Sequence, residues 1–554
     1  MKLSGAQAII KVLLEQGVDT VFGYPGGQVI PLYNALYDAP LRNVLTAHEQ
    51  GAIHAADGYA RASGRTGVCI ATSGPGATNI VTGLATAYLD SVPLVAITGQ
   101  VSVANLGRDS FQEIDIVGVT LPITKYNILV RKPEDLLPAL RQAFYLAQEG
   151  RPGPVLVDVP SNLQVGDVEW MEAEPLTPPV METAREEILE AAAVTITNAR
   201  QPVFLVGGGA VHSGAAEEVL RFARKTGMPV VNTLMGIGVF PGSDRQCLGL
   251  TGMHGHIAAN MAVANADVLI VAGSRFSERV TGDRNRYVGK KTIIQLDIDP
   301  SEVDKNVMTA LPLVGDMKEN LNKLSERVKK LDIEHWWHTI KAWDATENRA
   351  AQSGERLTAP WLMKELTRSF KGEDTVFVTD VGQNQMWAAL HLEVDAPRHH
   401  LTSGGCGTMG FGLPAAMGAK FGAPDRTVCF FTGDGGMQMT IQELGTIMQE
   451  KLNVKIIILN NNFLGMVRQW QELFFHERYS NTIMENPDFV AIAKAYGIAG
   501  RAVEKREELD DAIAEMLNHD GAYVLVANVE TCGMVYPMVP AGGSVTNMIM
   551  GDEK

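Results

Sequence analysis

The sequence is poor in cysteine and has no long hydrophobic run. Five cysteines among 554 residues form no Cys-x-x-Cys pair and no even framework, so we expect reduced thiols and no zinc site. No apolar run reaches the roughly 18 residues that a membrane-spanning helix needs, and residues 1–6 lack the core of a signal peptide. The sequence therefore predicts a cytoplasmic protein that does not enter a membrane.

Basic residues are outnumbered by acidic ones. The chain has 47 Lys and Arg against 63 Asp and Glu, which gives a net charge of -16 at pH 7. This charge argues against nucleic acids and anionic membranes as partners, because both attract cations.

Alternating helix and strand patterns divide the chain into three blocks. With 46% hydrophobic residues, a chain of this length is expected to bury several cores in about three domains. The pattern predicts an α/β fold of three doubly wound domains with mainly parallel sheets. The predicted boundaries are 1–166, 183–345 and 360–535 for the domains and 536–554 for a C-terminal tail. A Pro-rich, acidic linker at 167–182 is expected to resist packing, a second, polar linker spans 344–360, and the tail after Gly542 is expected to be mobile.

Two polar clusters each follow an apolar run in the third block. Gly433 and Asp434 follow residues 427–432, and Asn461 lies just beyond residues 454–459. If both runs are parallel strands joined by one crossover helix, the clusters meet at the carboxyl edge of one sheet, where ligands bind. One carboxylate and one amide oxygen suit Mg²⁺ bound to a diphosphate. The alternative is an ordinary turn and an ordinary strand end.

The paired clusters resemble the signature of thiamine diphosphate (ThDP) enzymes. The chain also resembles the catalytic large subunits of the acetohydroxyacid synthase (acetolactate synthase) family. The stretches that carry this resemblance, in the order typical of the family, are 22–27, 48–51, 58–61, 72–79, 407–415 and 465–470. The resemblance implies decarboxylation of pyruvate and transfer of the remaining two-carbon unit to a second pyruvate or to 2-ketobutyrate. The products would be 2-acetolactate and 2-aceto-2-hydroxybutyrate, in branched-chain amino acid biosynthesis.

The resemblance implies a set of ThDP and Mg²⁺ residues. Glu49 would hydrogen-bond the pyrimidine ring, whose imino form removes the C2 proton, and Met466 would force the cofactor into a bent shape. Without the resemblance, Glu49 reads as a surface carboxylate and Met466 as core. Asp434, Asn461 and the backbone carbonyl of Phe463 would bind the metal. The remaining ThDP positions are Val381, Gly382, Gln383, Asn384 (His in many relatives), Gly407, Met409, Gly433, Gly435, Gly436, Met439 and Gly465.

Substrate residues are also implied by the resemblance. Arg279 would hold the carboxylate of the second keto acid, since a guanidinium binds both oxygens. Trp470 would favour 2-ketobutyrate by contact with its extra methyl group, a preference of about 1–3 kcal/mol. Phe111, Gln112 and Lys125 would border the pocket from a neighbouring chain, Lys125 as a catalytic residue. A surface cation and a packing Trp are the alternatives.

The middle block has a glycine turn after a strand, which alone is weak evidence for a pyrophosphate site. The resemblance implies FAD in a role without redox chemistry. Its matching positions are Gly207, Gly208, Gly209, Thr233, Leu234, Met253, His254, Gly273, Arg275, Asp297, Ile298, Asp316, Gln385 and Met386. Ser277 stands where relatives usually carry a carboxylate.

The family further implies a dimer or tetramer in which Glu49 and Asp434 serve one site from different chains, and a separate small regulatory subunit. The alternatives are an FAD-independent catabolic synthase, another ThDP-dependent 2-keto acid decarboxylase or oxidase, and a silent binding homologue. A simple NAD dehydrogenase leaves Asp434, Asn461 and Glu49 unexplained.

Overall fold

Three six-stranded sheets organise the chain in a computed structural model that describes residues 1–179, 181–347 and 356–551. Neighbouring strands in each of the three run parallel, and helices cover the faces, so the predicted fold class is confirmed. Within the described ranges, no helix has the combined length and apolarity to cross a membrane.

The N-terminal domain contains the first sheet. The domain also contains a separate two-stranded sheet of β1 and β8. The strands of the domain are β1 Lys2–Ser4, β2 Thr20–Gly23, β3 Arg42–Leu45, β4 Gly67–Ala71, β5 Leu94–Gln100, β6 Tyr126–Leu129, β7 Pro154–Pro160 and β8 Asp167–Glu169. Its helices are α1 Gly5–Glu15, α2 Ile30–Tyr37, α3 Glu49–Ser63, α4 Pro75–Asn79, α5 Val81–Asp90, α6 Ile116–Thr120, α7 Pro133–Gln148 and α8 Ser161–Val165. The strand order is β3-β2-β4-β5-β7-β6, and β4, β5 and β7 are buried on both faces, as apolar strands of parallel sheets are.

The central domain contains the second sheet, in the order β11-β10-β9-β12-β13-β14. These strands are β9 Pro202–Val206, β10 Val230–Asn232, β11 Cys247–Leu250, β12 Val268–Ala272, β13 Thr292–Asp297 and β14 Leu311–Val314. Its helices are α9 Glu186–Thr197, α10 Gly208–His212, α11 Ala216–Thr226, α12 Ile257–Asn265, α13 Glu278–Thr281, α14 Arg284–Val288, α15 Met317–Arg327 and α16 Glu334–Glu347.

The C-terminal domain contains the third sheet, in the order β16-β15-β17-β18-β20-β19. These strands are β15 Thr375–Thr379, β16 His400–Leu401, β17 Thr427–Gly433, β18 Val454–Asn460, β19 Ala499–Val503 and β20 Tyr523–Asn528. Its helices are α17 Ala359–Ser369, α18 Gln383–His391, α19 Gly412–Gly422, α20 Asp434–Met439, α21 Leu444–Glu450, α22 Gly465–Phe474, α23 Phe489–Ala495 and α24 Leu509–Asn518.

Helices α3 and α19 join the N- and C-terminal domains at very short range. A Cβ at Gly58 would lie 2.1 Å from the carbonyl oxygen of Ala415, and one at Gly418 would lie 1.8 Å from that of Ala55. Because glycine lacks a Cβ, the two backbones approach closely here. This contact fixes α3, which begins at Glu49, against the C-terminal domain.

The two predicted linkers differ from expectation. The first residues of 167–182 form β8, which pairs with β1 in an antiparallel register that sets Val168 opposite Leu3. Val168 is buried, so the prediction that this stretch resists packing is wrong at its start. The second predicted linker begins inside α16, which runs to Glu347, and residues 348–355 lie outside the described ranges.

The connection from β17 to β18 is not the single crossover helix that we predicted. Helix α20 stops at Met439, and α21 starts at Leu444 after a short 3-10 turn. Thr440 has φ -135°, and its hydroxyl donates a hydrogen bond to the carbonyl of Gly410 at 3.0 Å. A non-helical residue held by another loop therefore divides the helix.

The predicted C-terminal tail, of which the structure describes residues 536–551, packs against the central domain, including residues after Gly542 that were expected to be mobile. The backbone N–H of Val539 donates to the carbonyl of Met253 at 2.7 Å, and that of Asp283 donates to the carbonyl of Gly543 at 2.9 Å. Val545 is buried in the central core. The apolar residues of the segment explain this docking, whereas residues 552–554, which carry the charge, lie outside the described ranges.

Candidate active site

The carboxyl ends of β17 and β18 lie side by side. Gly433 pairs with Leu459 in the register of these strands, so Asp434 and Asn461 follow at one edge of the sheet. Oδ2 of Asp434 accepts hydrogen bonds from the backbone N–H groups of Asn461 at 3.2 Å and Asn462 at 2.7 Å. The structure thus brings together the two clusters that the sequence analysis paired.

Oxygen ligands converge at this edge. Asp434 and Asn461 are buried, and Oδ1 of Asn461 accepts a hydrogen bond from the N–H of Phe463 at 3.2 Å. Among the described residues, no three His, Cys, Asp or Glu side chains cluster as a metal site. A single carboxylate, an amide oxygen and a backbone carbonyl nevertheless suit Mg²⁺, which also accepts phosphate and water oxygens.

Asn486 belongs to this cluster and was missed by the sequence analysis. Its Nδ2 donates to Asp434 Oδ2 at 2.7 Å and to Asn460 Oδ1 at 2.7 Å. Burial raises the pKa of Asp434, while hydrogen bonds from Asn486 and from three backbone N–H groups lower it. Asn486 therefore stabilises the charged form of the carboxylate, which a metal requires.

Asp380 holds two loops that carry four of the predicted ThDP residues, Val381, Gly382, Gly407 and Met409. Its carboxylate accepts hydrogen bonds from the backbone N–H groups of Val381 at 2.7 Å, Gly410 at 3.0 Å and Gly412 at 3.3 Å. Burial raises the pKa of Asp380 to about 6, although these hydrogen bonds oppose the rise. Asp380 was not predicted as a site residue, because two of its partners, Gly410 and Gly412, lie 30 and 32 residues away along the chain.

The predicted diphosphate residues surround this edge. Nδ2 of Asn384 lies 3.6 Å from the positions that a Cβ would take at Gly382 and at Gly433. Asn384 therefore lies between the turn at Gly382 and the end of β17 at Gly433. Its Oδ1 is buried without a hydrogen-bond partner in the described structure. Gln383 lies beside Gly465, where a Cβ would be 2.0 Å from its Oε1. The glycine-lined space, with the amide Nδ2 and Nε2 donors of Asn384 and Gln383 at its border, fits a polar ligand such as a diphosphate.

Met409 and Met439 complete the predicted ThDP positions near Gly435 and Gly410. A Cβ at Gly435 would lie 3.7 Å from Met409 Cε, and one at Gly410 would lie 3.0 Å from Met439 Cβ. Gly436 approaches Asp380, with its Cβ position 2.9 Å from Cγ. These residues lie in and around α20.

Glu49 begins α3 and is 9% exposed. Its Oε2 accepts a hydrogen bond from Nδ2 of Asn79 at 2.9 Å, and its Oε1 lies 3.1 Å from the Cβ position of Gly76. A buried carboxylate with a defined partner differs from the solvated surface carboxylate that was the alternative. Glu49 therefore has the protected surroundings that a group acting on a cofactor ring requires.

A cleft of about 950 Å³ opens between the three domains and collects most of the predicted flavin and substrate residues. Of the predicted FAD positions, all but Gly207 line it. The other predicted residues that line it are Arg279, Val381, Gly382, Gly407, Met466 and Trp470. The predicted flavin residues thus share one space with four of the predicted ThDP residues and two of the predicted substrate residues, whereas Glu49, Asp434 and Asn461 are not among its lining residues.

Glycines shape the floor of this cleft where β9 and β12 end. A Cβ at Gly207 would lie 2.3 Å from the carbonyl oxygen of Gly273, and a Cβ at Gly273 would lie 2.5 Å from Cα of Gly209. Gly273 also has φ +65°, which favours glycine. A side chain at any of these positions would collide with the facing backbone, so the close approach of the two turns requires glycine.

Replacing Gly273 with Ala will destabilise the protein. The steric clash adds about 1–3 kcal/mol to the roughly 1 kcal/mol that a left-handed conformation costs alanine. Urea denaturation measures the loss, and Gly227→Ala is the matched control because Gly227 has φ +76° with nothing within 4 Å of its Cβ position. Equal losses in the two variants would show that the close approach of Gly209 and Gly273 does not matter.

Cationic side chains line the cleft although the chain as a whole is acidic. Arg275, Arg279 and Arg284 are among the lining residues. The Arg279 side chain is 60% exposed, with Nη1 2.9 Å from Met253 Sδ and Nε 3.5 Å from a carboxylate oxygen of Glu278. Carboxylates such as Asp297 and Asp316 line the cleft as well, so its complementarity to an anionic ligand is local to the arginines.

His254 is a neutral polar residue of the cleft. Burial lowers its pKa to about 4, and its Nδ1 has no hydrogen-bond partner in the described structure. A neutral imidazole with a free nitrogen can donate to or accept from a ring system such as a flavin.

Comparison with known proteins agrees with this geometry. The chain matches three families: "Thiamine pyrophosphate enzyme, N-terminal TPP binding domain" over residues 3–119, the "central domain" over 189–324 and the "C-terminal TPP binding domain" over 380–527. It is 45% identical over 556 residues to acetolactate synthase isozyme 2 large subunit of Escherichia coli (strain K12), with 99% of each chain covered. It is 46% identical over 560 residues to acetolactate synthase large subunit of Corynebacterium glutamicum, with 98% of this chain and 89% of that one covered. Over 564 residues it is 44% identical to probable acetolactate synthase large subunit of Methanocaldococcus jannaschii, with 99% and 95% covered. The chain belongs to the acetolactate synthase large-subunit family.

Membership in the acetolactate synthase family confirms the resemblance read from the sequence. The chain is an enzyme of the ThDP-dependent type, and the two TPP binding domains support ThDP as its cofactor. The contacts of the predicted substrate residues differ from one another.

Met466 and Trp470 are one helical turn apart on α22 and both line the cleft, as their spacing requires. The Trp470 ring packs against Phe474, with ring centroids 5.2 Å apart. This contact supports the indole, and Trp470 and Arg279 both line the cleft.

Phe111, Gln112 and Lys125 are not among the residues that line this cleft. Phe111 is 84% exposed, and Gln112 has φ +60° beside Gly74. The Lys125 amine donates to the carbonyls of Leu146 at 2.5 Å and of Glu149 at 2.6 Å. These bonds give Lys125 a structural role at the end of α7, and its catalytic role in a neighbouring site stays a prediction.

A buried ion network at the cleft was also missed. Arg61 pairs with Asp57 at 2.5 Å and with Asp90 at 2.9 Å, and Asp90 accepts from the backbone N–H groups of Gly404 and Gly405. The network connects α3 and α5 to a loop that lines the cleft. The sequence offered one signal for it, the stretch at 58–61.

Proposed function

We propose that this chain is the catalytic subunit of a biosynthetic acetolactate synthase. It would decarboxylate pyruvate and join the remaining two-carbon unit to a second pyruvate or to 2-ketobutyrate. The observation that carries the proposal is the single cleft that Met466, Trp470, Arg279 and Gly273 all line. Chemistry on a first keto acid and capture of a second one both require such a shared space.

Bound ThDP supplies a nucleophilic C2 atom and accepts the electron pair that decarboxylation releases. Glu49 would hydrogen-bond the pyrimidine ring and so favour removal of the C2 proton. Asp434, Asn461 and the carbonyl of Phe463 would hold Mg²⁺, and Asn384 and Gln383 would border the diphosphate. Met466 would pack against the bound cofactor.

FAD is proposed as a second cofactor without redox work. Three features support this proposal: the close backbone approach of Gly207 and Gly209 to Gly273, the arginine side chains that line the cleft, and Nδ1 of His254, which has no hydrogen-bond partner in the described structure. Ser277 begins α13 without a side-chain capping bond. Glu278 is therefore the carboxylate that remains beside Arg279 in this stretch.

The assembly is proposed to be a homodimer or a homotetramer with a small regulatory subunit. Large apolar side chains are exposed on the N-terminal domain, among them Tyr37, Phe111 and Leu121. Such side chains favour burial against another chain, and a dimer would let Glu49 and Asp434 serve one site from different chains. The three relatives are each named a large subunit, which supports a separate small one.

Product analysis tests the proposed reaction. Purified protein is incubated with pyruvate, ThDP and Mg²⁺, with and without FAD and 2-ketobutyrate, and products are identified by mass. FAD-dependent formation of acetolactate and acetohydroxybutyrate is expected. Equal activity of verified flavin-free protein would favour the catabolic type, and acetaldehyde alone would favour a decarboxylase.

Replacing Trp470 with Leu will lower the ratio of acetohydroxybutyrate to acetolactate in mixed-substrate assays. Loss of the contact with one methyl group is worth about 1–3 kcal/mol, so the ratio should fall about tenfold. Phe474→Leu is the control, since it removes the neighbour of Trp470 without removing the indole. An unchanged ratio in Trp470→Leu would end the specificity assignment.

A further inference from the structure

The side chain of Glu443, in the C-terminal domain, contacts the N-terminal-domain segment that precedes Glu49. It lies in the turn between α20 and α21 and is fully buried. Its Oε2 accepts hydrogen bonds from the backbone N–H of Ala47 at 3.1 Å and from the hydroxyl of Thr446 at 2.7 Å. Ala47 precedes Glu49 by two residues, so this contact fixes the backbone from which the Glu49 side chain projects.

The second oxygen of Glu443 faces the first turn of α3. A Cβ at Gly51 would lie only 2.1 Å from Oε1, and this oxygen has no hydrogen-bond partner in the described structure. Burial raises the pKa of Glu443, and hydrogen bonds from Thr446 and from the backbone of Ala47 and His48 oppose that rise. The carboxyl group is therefore tightly enclosed and leaves the start of α3 little freedom to shift.

Other contacts hold the same segment only locally. The Thr46 hydroxyl donates to the carbonyl of His48 at 2.9 Å, and the N–H of Gln50 donates to Nδ1 of His48 at 3.0 Å. These bonds shape the turn, but neither ties it to the C-terminal domain of the same chain, which α3 itself meets closely further along, at Gly58. The carboxyl group of Glu443 does so.

We propose that Glu443 is a positioning residue that sets the place of Glu49 relative to the bound cofactor. The proposal rests on the proposed role of Glu49 in ThDP activation. Misplacement of a reacting group by about 1 Å costs up to about 100-fold in rate. Loss of the Glu443 contact should therefore slow proton removal more than it weakens cofactor binding.

The test measures C2 proton exchange of bound ThDP by NMR, together with ThDP affinity, in the complete Mg²⁺-loaded protein. Glu443→Ala is expected to slow exchange by about 10- to 100-fold with affinity within about threefold, and Glu443→Gln, which keeps an acceptor, to slow it less. Gly51→Ala approaches the same contact from α3 and should also slow exchange. Glu450→Ala is the matched control: it breaks the contact of Glu450 with Arg42 at 2.8 Å between the same domains, away from Glu49.

Exchange within twofold of the native rate in both Glu443→Gln and Gly51→Ala would overturn the proposal, even if Glu443→Ala fails to fold. Equal losses in Glu450→Ala would also overturn it, because any weakening of the domain contact would then suffice. Glu49→Gln is measured in parallel. If that variant exchanges at the native rate, the proposed role of Glu49 fails; if it is slow while the Glu443 variants are not, only the positioning role fails.

Discussion

Replacing Glu49 with Gln will slow C2 proton exchange of bound ThDP by about 10²–10⁴-fold, the usual contribution of a positioned acid–base group. The amide has the shape of the carboxyl group but cannot drive the pyrimidine ring toward the tautomer that takes the proton. Since Glu49 touches Asn79 through one oxygen only, the substitution leaves the packing of α3 largely unchanged.

The measurement is NMR-detected exchange after rapid acid quench, with ThDP affinity determined on the same samples. Glu15→Gln is the control. Glu15 pairs with Arg141 at 2.7 Å on the first helix, so its loss affects stability without touching the site. Native exchange rates in folded, ThDP-bound Glu49→Gln protein would remove the activating role from Glu49.

The sequence predicted what depends on local pattern. Apolar runs such as 202–206 and 375–379 are strands with those same bounds, because buried parallel strands are continuously apolar. The pairing of Asp434 with Asn461 followed from two such runs, since the ends of adjacent parallel strands meet at one edge.

The features that the sequence did not predict depend on contacts between distant segments. Asn486 joins Asp434 from a loop beyond α22, and Asp380 binds a loop some thirty residues later. Thr440 interrupts a helix because its hydroxyl finds the carbonyl of Gly410. No periodicity marks such residues, since their partners are chosen by the assembled fold.

Replacing Asp434 with Asn will abolish Mg²⁺-dependent binding of ThDP at ordinary cofactor concentrations. Mutation of a residue that only hydrogen-bonds a metal ligand typically lowers metal affinity about 10- to 100-fold. Removal of the only carboxylate among the proposed Mg²⁺ ligands should therefore lower it about 100-fold or more. The amide still offers one oxygen to the N–H groups of Asn461 and Asn462, which keeps the ends of β17 and β18 together. The loss should therefore appear in cofactor affinity rather than in folding.

Titration of ThDP at several Mg²⁺ concentrations, followed by calorimetry, separates the contributions. Asn486→Ala removes a hydrogen bond to Asp434 but no proposed ligand, and we expect a loss of about 10-fold. Asp374→Asn is the control, because Asp374 precedes β15 at the opposite edge of the sheet and pairs with His399 and Arg426. A ranking in which Asp434→Asn loses most and Asp374→Asn nothing would place the metal between β17 and β18. Unchanged Mg²⁺ dependence in Asp434→Asn would mean that the metal binds through other residues.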